Sequence, residues 1–419
     1  MASTIFGLII GVLVFDYILE RVLDILNAQH RSQKLPAELQ DIYNSEEYEK
    51  QQQYEQTKTN FGLITATFSF ILILGMLVFN GFAFVDTFIY NTFGGTEHAI
   101  HHIWAGLLFF GILAFASDIL GIPFEAYSTF VIEEKFGFNK TTIKTFIIDK
   151  IKSWLLMILL GGSILAALLW LITYFGEHFW IYAWIFISVI MIGITMFYST
   201  LIVPLFNKQT PLEEGELKQA IFEFSNKVGF KLDNIFVIDG SKRSTKANAY
   251  FSGLGTKKRI VLYDTLIQEM STEEIVAVLA HEIGHYKKKH TRTMIAASLL
   301  QMGLLLFIFG LLVNSSWLTE ALGIPFEQGK YHIALFVFSI LYSPLSFIIS
   351  IAMNIASRKH EFEADAYAAI HYNGTFLEQA LRKLSKRNLS NLTPHPLYVF
   401  FYYSHPPLLE RIRAMRTNS

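Results

Sequence analysis

Seven stretches of this chain are each apolar over roughly the 20 residues that a helix needs to cross about 30 Å of hydrocarbon. They run from Ile5 to Ile25, Phe61 to Val85, Ile103 to Phe124, Trp154 to Phe175, Phe179 to Leu205, Met294 to Val313 and Ile333 to Ala356. No other feature limits the fold so strongly, because a backbone in lipid must satisfy its own hydrogen bonds and is therefore helical there. Composition agrees. Of 419 residues, 52% are hydrophobic and only 16% charged, the balance of a chain whose main solvent is lipid. Only Gly176, Glu177 and His178 separate the fourth and fifth spans, which predicts a tight antiparallel pair. The apolar run from Ile5 has no basic residues before it and no small-residue cleavage site after it, so it reads as an uncleaved first span.

Lysine and arginine give an independent test of this map, since they concentrate in cytoplasmic loops. Arg31, Lys34, Lys50 and Lys58 follow the first span; Lys135, Lys140, Lys144, Lys150 and Lys152 follow the third. The segment from Lys208 to Arg292 and the whole tail after the seventh span are also rich in them, whereas the opposite side has only Lys330. The N-terminus is thus expected outside and the C-terminus in the cytoplasm. A net charge of −1 gives no reason to expect a nucleic-acid partner. The absence of cysteine excludes disulfides, thiolate ligands and cysteine nucleophiles.

This parity divides the chain into spans 1–5 with their loops (1–206), a cytoplasmic region (207–292), spans 6 and 7 (293–356) and a cytoplasmic tail (357–419). The two cytoplasmic parts are expected to build one soluble unit. Its first part carries a helical pattern from Leu212 to Val228, then strand-like runs at Asn234 to Ile238, Ala249 to Ser252 and Arg259 to Tyr263. These predict a small sheet with an exposed strand.

Ile275 to His285 reads IVAVLAHEIGH, preceded by Ser271 and Glu274 at capping-box spacing. One helical turn puts His281 and His285 on one face, where two imidazoles can grip one zinc, with Glu282 beside a water on that metal. Such a site needs a third ligand, and the parity-matched segment SRKHEFEADAYA offers Glu361, with Asp365 one turn on to orient a ligating histidine. Spacing leaves Glu363 and His360 as rivals for the third position. His290, after Lys287, Lys288 and Lys289, reads as part of a basic collar at the membrane interface. His101 and His102 fall near the other end of the third span, away from the expected metal.

With these residues stand GIPFEAYSTFVIEEKFGFNK (Gly121 to Lys140), VPLFNKQTPLEEGEL (Val203 to Leu217), NAYFSG (Asn248 to Gly253) and YSHPPLLERI (Tyr403 to Ile412). In this order, with HEIGH and EFEAD and over almost the whole chain, they resemble the type I CAAX prenyl protease family, integral-membrane zinc metalloproteases of gluzincin type. The resemblance implies a mostly α fold in which seven membrane helices enclose a chamber, capped by a cytoplasmic zincin-like domain with a small β-sheet. It implies one Zn2+ per chain on His281, His285 and Glu361, with Glu282 as general base and Asp365 in support, resolving Glu361 over Glu363. It implies that Asn248 and Ala249, otherwise plain hairpin residues, pair with a substrate backbone. His405, otherwise a turn residue before two prolines, would donate to the oxyanion. Arg411 would buttress that corner or grip a substrate carboxylate. Asp16, Glu20, Arg21, Asp118 and Glu125 inside spans are compatible with a polar chamber or with helix-to-helix pairing.

The expected activity is endoproteolysis near the cytoplasmic face, removing the last three residues of a prenylated Cys-a-a-X protein, by a monomer embedded in the bilayer. The membrane would be the endoplasmic reticulum in a eukaryote and the inner membrane in a bacterium. General quality control of membrane proteins is the alternative within the class. A seven-span receptor or transporter, or a silent scaffold, would not need the metal residues.

Overall fold

The protein is described by a computed structural model that covers residues 1–31, 35–94, 101–232, 234–252, 259–327 and 329–417. Lys34 and Gly253 lie outside the described residues. The membrane half contains α1 (Ala2–Arg31), α2 (Ser45–Val78), α3 (Gly81–Phe93), α4 (His102–Tyr127), α5 (Ile143–Leu156), α6 (Ser163–Phe175), α7 (Phe179–Phe197) and the short α8 (Val203–Phe206). The C-terminal half contains α9 (Glu216–Lys227), α10 (Asp264–Glu269), α11 (Thr272–Lys287), α12 (His290–Leu312), α13 (Ser316–Glu320), α14 (Tyr331–Ala368), α15 (Gly374–Arg387), α16 (Pro396–Tyr402) and α17 (Leu408–Thr417).

Among the described residues, six helical stretches are long and apolar enough to cross a membrane: Ala2–Arg31, Ser45–Val78, His102–Glu133, Ile143–Phe206, His290–Leu312 and Tyr331–Arg387. The stretch Ile143–Phe206 contains both the fourth and fifth expected spans. Gly176, at φ 53°, interrupts it with a conformation that glycine adopts at little cost. Leu8, Phe15, Ile64, Ile71, Leu159 and Leu300 are exposed on these helices, as lipid-facing side chains are.

The second expected span differs from its observed helix at both ends. α2 is capped by Asn44, whose side chain accepts from Glu47 N while Glu47 accepts from Asn44 N. That capping box lets the helix begin in the polar sequence before Phe61. It stops before Val85 because Asn80 turns left-handed, at φ 55°, and α3 begins afresh. Asparagine tolerates that conformation better than most residues.

Charges within the bundle are mostly paired. Lys150 contacts Asp118 and Glu125 at 3.0 and 2.6 Å, and Trp154 donates to Asp118, so helix pairing accounts for those two carboxylates. Asp16 accepts from Ser343 at 2.9 Å, and with Glu20 lines a cavity of about 500 Å³ beside Tyr342 and Tyr402. Arg21 pairs with Glu20 and Asp24. Lys330 is buried against Asp86 at 3.2 Å, and Asp86 also meets fully buried His332 at 2.8 Å.

The soluble half contains a four-stranded sheet: β1 (Gln209–Pro211), β2 (Asn234–Ile238), β3 (Ala249–Ser252) and β4 (Arg259–Tyr263), in order β1-β2-β4-β3. β2 and β4 are parallel and the other pairs antiparallel. Three strands occupy the stretches their β-branched and aromatic runs indicate, and β3 lies at an edge. β1 has only three residues and ends in a proline, so it carries almost no sequence signal. Because Leu212 N donates to Ile235 O, the chain stays with the sheet there, and α9 starts at Glu216 rather than Leu212.

α11 is the centre of the soluble half, with Ile275, Val276, Ala277, Leu279, Ala280 and Ile283 all buried in one apolar core. Its Gly284 allows α14 to approach closely. A Cβ there would lie 3.1 Å from Ala364 Cα and 3.2 Å from Ala364 O.

Candidate metal centre

Two helices bring the site together. α11 begins where Ser271 accepts from Glu274 N and Glu274 accepts from Ser271 N. This fixes the phase of the helix, so that His281 and His285 emerge one turn apart with ring centroids 4.7 Å apart. α14 continues without interruption from the last apolar stretch through Glu361 and Asp365, so the third donor stands on a membrane helix.

Nε2 of His281 and Nε2 of His285 are 3.1 Å apart. Oε1 of Glu361 lies 3.2 Å from Nε2 of His285, and Oε2 lies 3.5 Å from Nε2 of His281. Two nitrogens each ~2.0–2.1 Å from one tetrahedral zinc would stand roughly 3.3 Å apart, so the spacing fits a shared cation. The donor atoms of all three residues fall within 4.8 Å of one another. Oε2 of Glu361 is buried without a close hydrogen bond; Nη1 of Arg411 at 3.4 Å and Nε2 of His281 at 3.5 Å are its cationic neighbours, and neither uses up its capacity as an acceptor. Burial disfavours the imidazolium of His281, yet the neighbouring carboxylates of Asp365 and Glu361 outweigh it and raise the ring's pKa to about 9. The pocket is therefore built for positive charge.

Behind His281, Nδ1 is 2.8 Å from Oδ1 of buried Asp365. Arg411, at the start of α17 and also buried, donates from Nε to Oδ2 at 2.8 Å and from Nη2 to Oδ1 at 2.6 Å. Its Nη1 lies 3.4 Å from Glu361. Burial opposes the charge on Arg411, but Asp365 and Glu361 raise its pKa. Two of the three nitrogens of Arg411, Nε and Nη2, are thus engaged by Asp365.

Behind His285 the arrangement differs from the basic collar that the sequence suggests. His290 is buried: its Nδ1 lies 3.0 Å from Nδ1 of His285 and its Nε2 lies 2.9 Å from Oε2 of Glu363. Its ring stacks on His360 with centroids 4.0 Å apart. The lysines before it are exposed, but Lys289, at φ 63°, turns the chain so that His290 points inward. His360 and Glu363 thus stand beside His290. Sequence reasoning missed this because five residues do not return to the same helix face.

Glu282 is partly exposed. His405, between α16 and α17, is 64% exposed, with Nε2 3.4 Å from Oε1 of Glu361 and Nδ1 3.0 Å from Oγ of Ser404. Ala249 begins the edge strand and Asn248 directly precedes it: Asn248 O accepts from Tyr263 N, and Ala249 N donates to Oδ1 of Asn248. The segment just before them is clamped. Lys246 Nζ donates to Tyr54 OH and to Glu133 Oε2, both at 2.8 Å, and Tyr54 OH donates to Glu133 Oε1 at 2.6 Å. The segment from Gly121 to Lys140 therefore holds the edge strand against the membrane half.

Residues 24–208 match the family described as CAAX prenyl protease N-terminal, five membrane helices, and residues 211–419 match peptidase family M48. The chain is 39% identical to the CAAX prenyl protease 1 homolog of rice, Oryza sativa, over 96% of this chain and 95% of that protein. The chain belongs to peptidase family M48, in its CAAX prenyl protease branch. CAAX prenyl protease 1 of Saccharomyces cerevisiae is 37% identical over 91% of this chain and 88% of its own length. The crystal structure of Ste24p from S. mikatae superposes with a TM-score of 0.93 at 36% identity, covering 98% of this chain and 99% of that one. This M48 peptidase is accordingly a multi-pass membrane metallopeptidase with a metal cofactor, and the donor set on α11 and α14 has the chemistry for it.

Proposed function

We propose that the chain is a zinc endopeptidase that removes the last three residues of prenylated proteins ending in Cys-a-a-X. The observation that carries this reading is the convergence of His281, His285 and Glu361 from a soluble helix and a membrane helix. One Zn2+ per chain on these residues would polarise the scissile carbonyl and acidify the attacking water. Glu282 takes the proton from that water and returns it to the leaving amine. Asp365 holds the tautomer of His281 that leaves Nε2 free for the metal, and Arg411 holds Asp365. His405 donates to the developing oxyanion from the open side of the site. An extended substrate pairs with the edge strand at Asn248 and Ala249, whose outer side has no partner strand among the described residues.

The same reading divides the polypeptide at Gly176 into seven spans, with the soluble half in the cytoplasm and the N-terminus outside. The four regions 1–206, 207–292, 293–356 and 357–419 follow from it. Lys330, the basic residue that this orientation leaves outside, is buried beside Asp86, so the basic loop residues remain on one side, as the rule for cytoplasmic loops requires. The protein would act as a monomer in the endoplasmic reticulum membrane of a eukaryote or the inner membrane of a bacterium.

The test incubates purified enzyme with one Cys-a-a-X peptide, farnesylated and unmodified, with and without a chelator. Cleavage after the cysteine, dependent on the lipid and abolished by the chelator, is the expected outcome. Glu282→Gln should retain zinc and lose roughly 10²–10⁴-fold in turnover. Equal cleavage of both peptides would remove the substrate assignment, and a fully active Glu282→Gln would remove the mechanism.

A further inference from the structure

The two histidines of the metal site are supported in different ways. His281 rests on a carboxylate that is itself fixed by a guanidinium. His285 rests on another imidazole, and that imidazole rests on Glu363. We propose that His290, backed by Glu363, is a positioning residue for His285 that governs how tightly the site retains its metal. The inference rests on the reading of His285 as a metal ligand.

Hydrogen-bond logic assigns the protons. If Nε2 of His285 offers its lone pair to a metal, the ring's proton is on Nδ1. Nδ1 of His290, 3.0 Å away, must then accept, which places the proton of His290 on Nε2. There it has an acceptor, Oε2 of Glu363 at 2.9 Å. Each atom in this chain has one role and none is left over.

The geometry is also held mechanically. His290 is buried, stacks on His360 at an interplanar angle of 11°, and is the first residue of α12, directly after left-handed Lys289. Swinging the ring away would break its stacking on His360 and its contacts with His285 and Glu363. His285 is therefore oriented by the beginning of one membrane helix, and Glu361 is supplied by another.

Partners of this kind, when removed, typically cost 10–100-fold in metal affinity or activity. The experiment measures zinc affinity of the full-length, metal-stripped enzyme by competition with a chromophoric chelator, alongside the thermal midpoint of each metal-free variant. Three substitutions separate positioning from packing. His290→Asn places its carbonyl oxygen near the position of Nδ1 and keeps the acceptor for His285. His290→Gln reaches toward Glu363 but leaves no acceptor at that position, and His290→Leu keeps only volume. The expected result is zinc affinity about 10–100-fold weaker for Leu and Gln, with Asn recovering most of the loss, and metal-free midpoints that do not follow this order. Wild-type affinity in the Leu and Gln variants overturns the proposal, as does a loss that is the same for all three and tracks the midpoint. His285→Ala is the control: if it binds zinc normally, the ligand assignment falls and this inference falls with it. If it loses zinc while Leu and Gln keep full affinity, only this inference falls.

Discussion

Asp365 holds Nδ1 of His281 at 2.8 Å with the same oxygen that accepts from Arg411 at 2.6 Å, so the two buried charges meet at the back of one imidazole. Asp365→Asn should keep the fold but weaken zinc binding by about 10–100-fold. Arg411→Ala should be worse for stability, by about 3–5 kcal/mol, because it removes the charged partner of a buried carboxylate and leaves it only His281. Chelator competition and thermal unfolding separate the two effects. Equal zinc affinity in wild type and Asp365→Asn would show that Asp365 does not orient the ligand.

At Gly284, α11 packs directly on the backbone of α14. Gly284→Val must push Ala364 and its backbone away, at a cost of about 1–3 kcal/mol or more, and the displacement separates His281 and His285 from Glu361. Lower zinc content at a given free zinc concentration is expected alongside the lower thermal midpoint. A variant with normal zinc content would mean that the helices tolerate the added methyls without separating.

Asp86 is buried between Lys330 and His332 at the end of α14 remote from Glu361. Asp86→Leu leaves buried Lys330 with only the more exposed Glu327, 3.4 Å away, and takes the acceptor from the ring of His332; removing one member of a buried pair costs up to about 3–5 kcal/mol. Asp86→Leu combined with Lys330→Met should recover much of that loss. Thermal unfolding in detergent or nanodiscs reads the cycle, and no recovery in the double variant would show that the pair is not coupled.

Lys246 ties the residues before the edge strand to Tyr54 and Glu133. Lys246→Met should lose about 1.5–3 kcal/mol of charge-assisted hydrogen bonding and loosen the strand. Under the proposed mode of substrate pairing, KM should rise while kcat changes less. A fall in kcat alone, at constant KM, would argue that this clamp serves the metal site rather than the strand.

The sequence was most legible where local chemistry settles the structure. Ser271 and Glu274 determine where α11 starts, four-residue spacing places His281 beside His285, and the aromatic and β-branched runs mark β2, β3 and β4. It was least legible where long-range packing decides. His360, Glu361 and Glu363 are near-equivalent by spacing, and only the approach of α11 at Gly284 turns Glu361 to the histidines while Glu363 meets His290. His290 reads as part of a basic collar at the membrane interface because the left-handed turn at Lys289 has no glycine to announce it. Asn80 likewise cuts a stretch that hydropathy alone would join.

α14 is one helix of 38 residues, roughly 57 Å at 1.5 Å per residue. It is moored at one end by His332 to Asp86 and presents Glu361 near the other. The hydrolytic centre cannot be cut free of the lipid: any truncation that discards the embedded part of this rod also discards the scaffold that aims the carboxylate. A soluble fragment would inherit the histidines and lose the geometry.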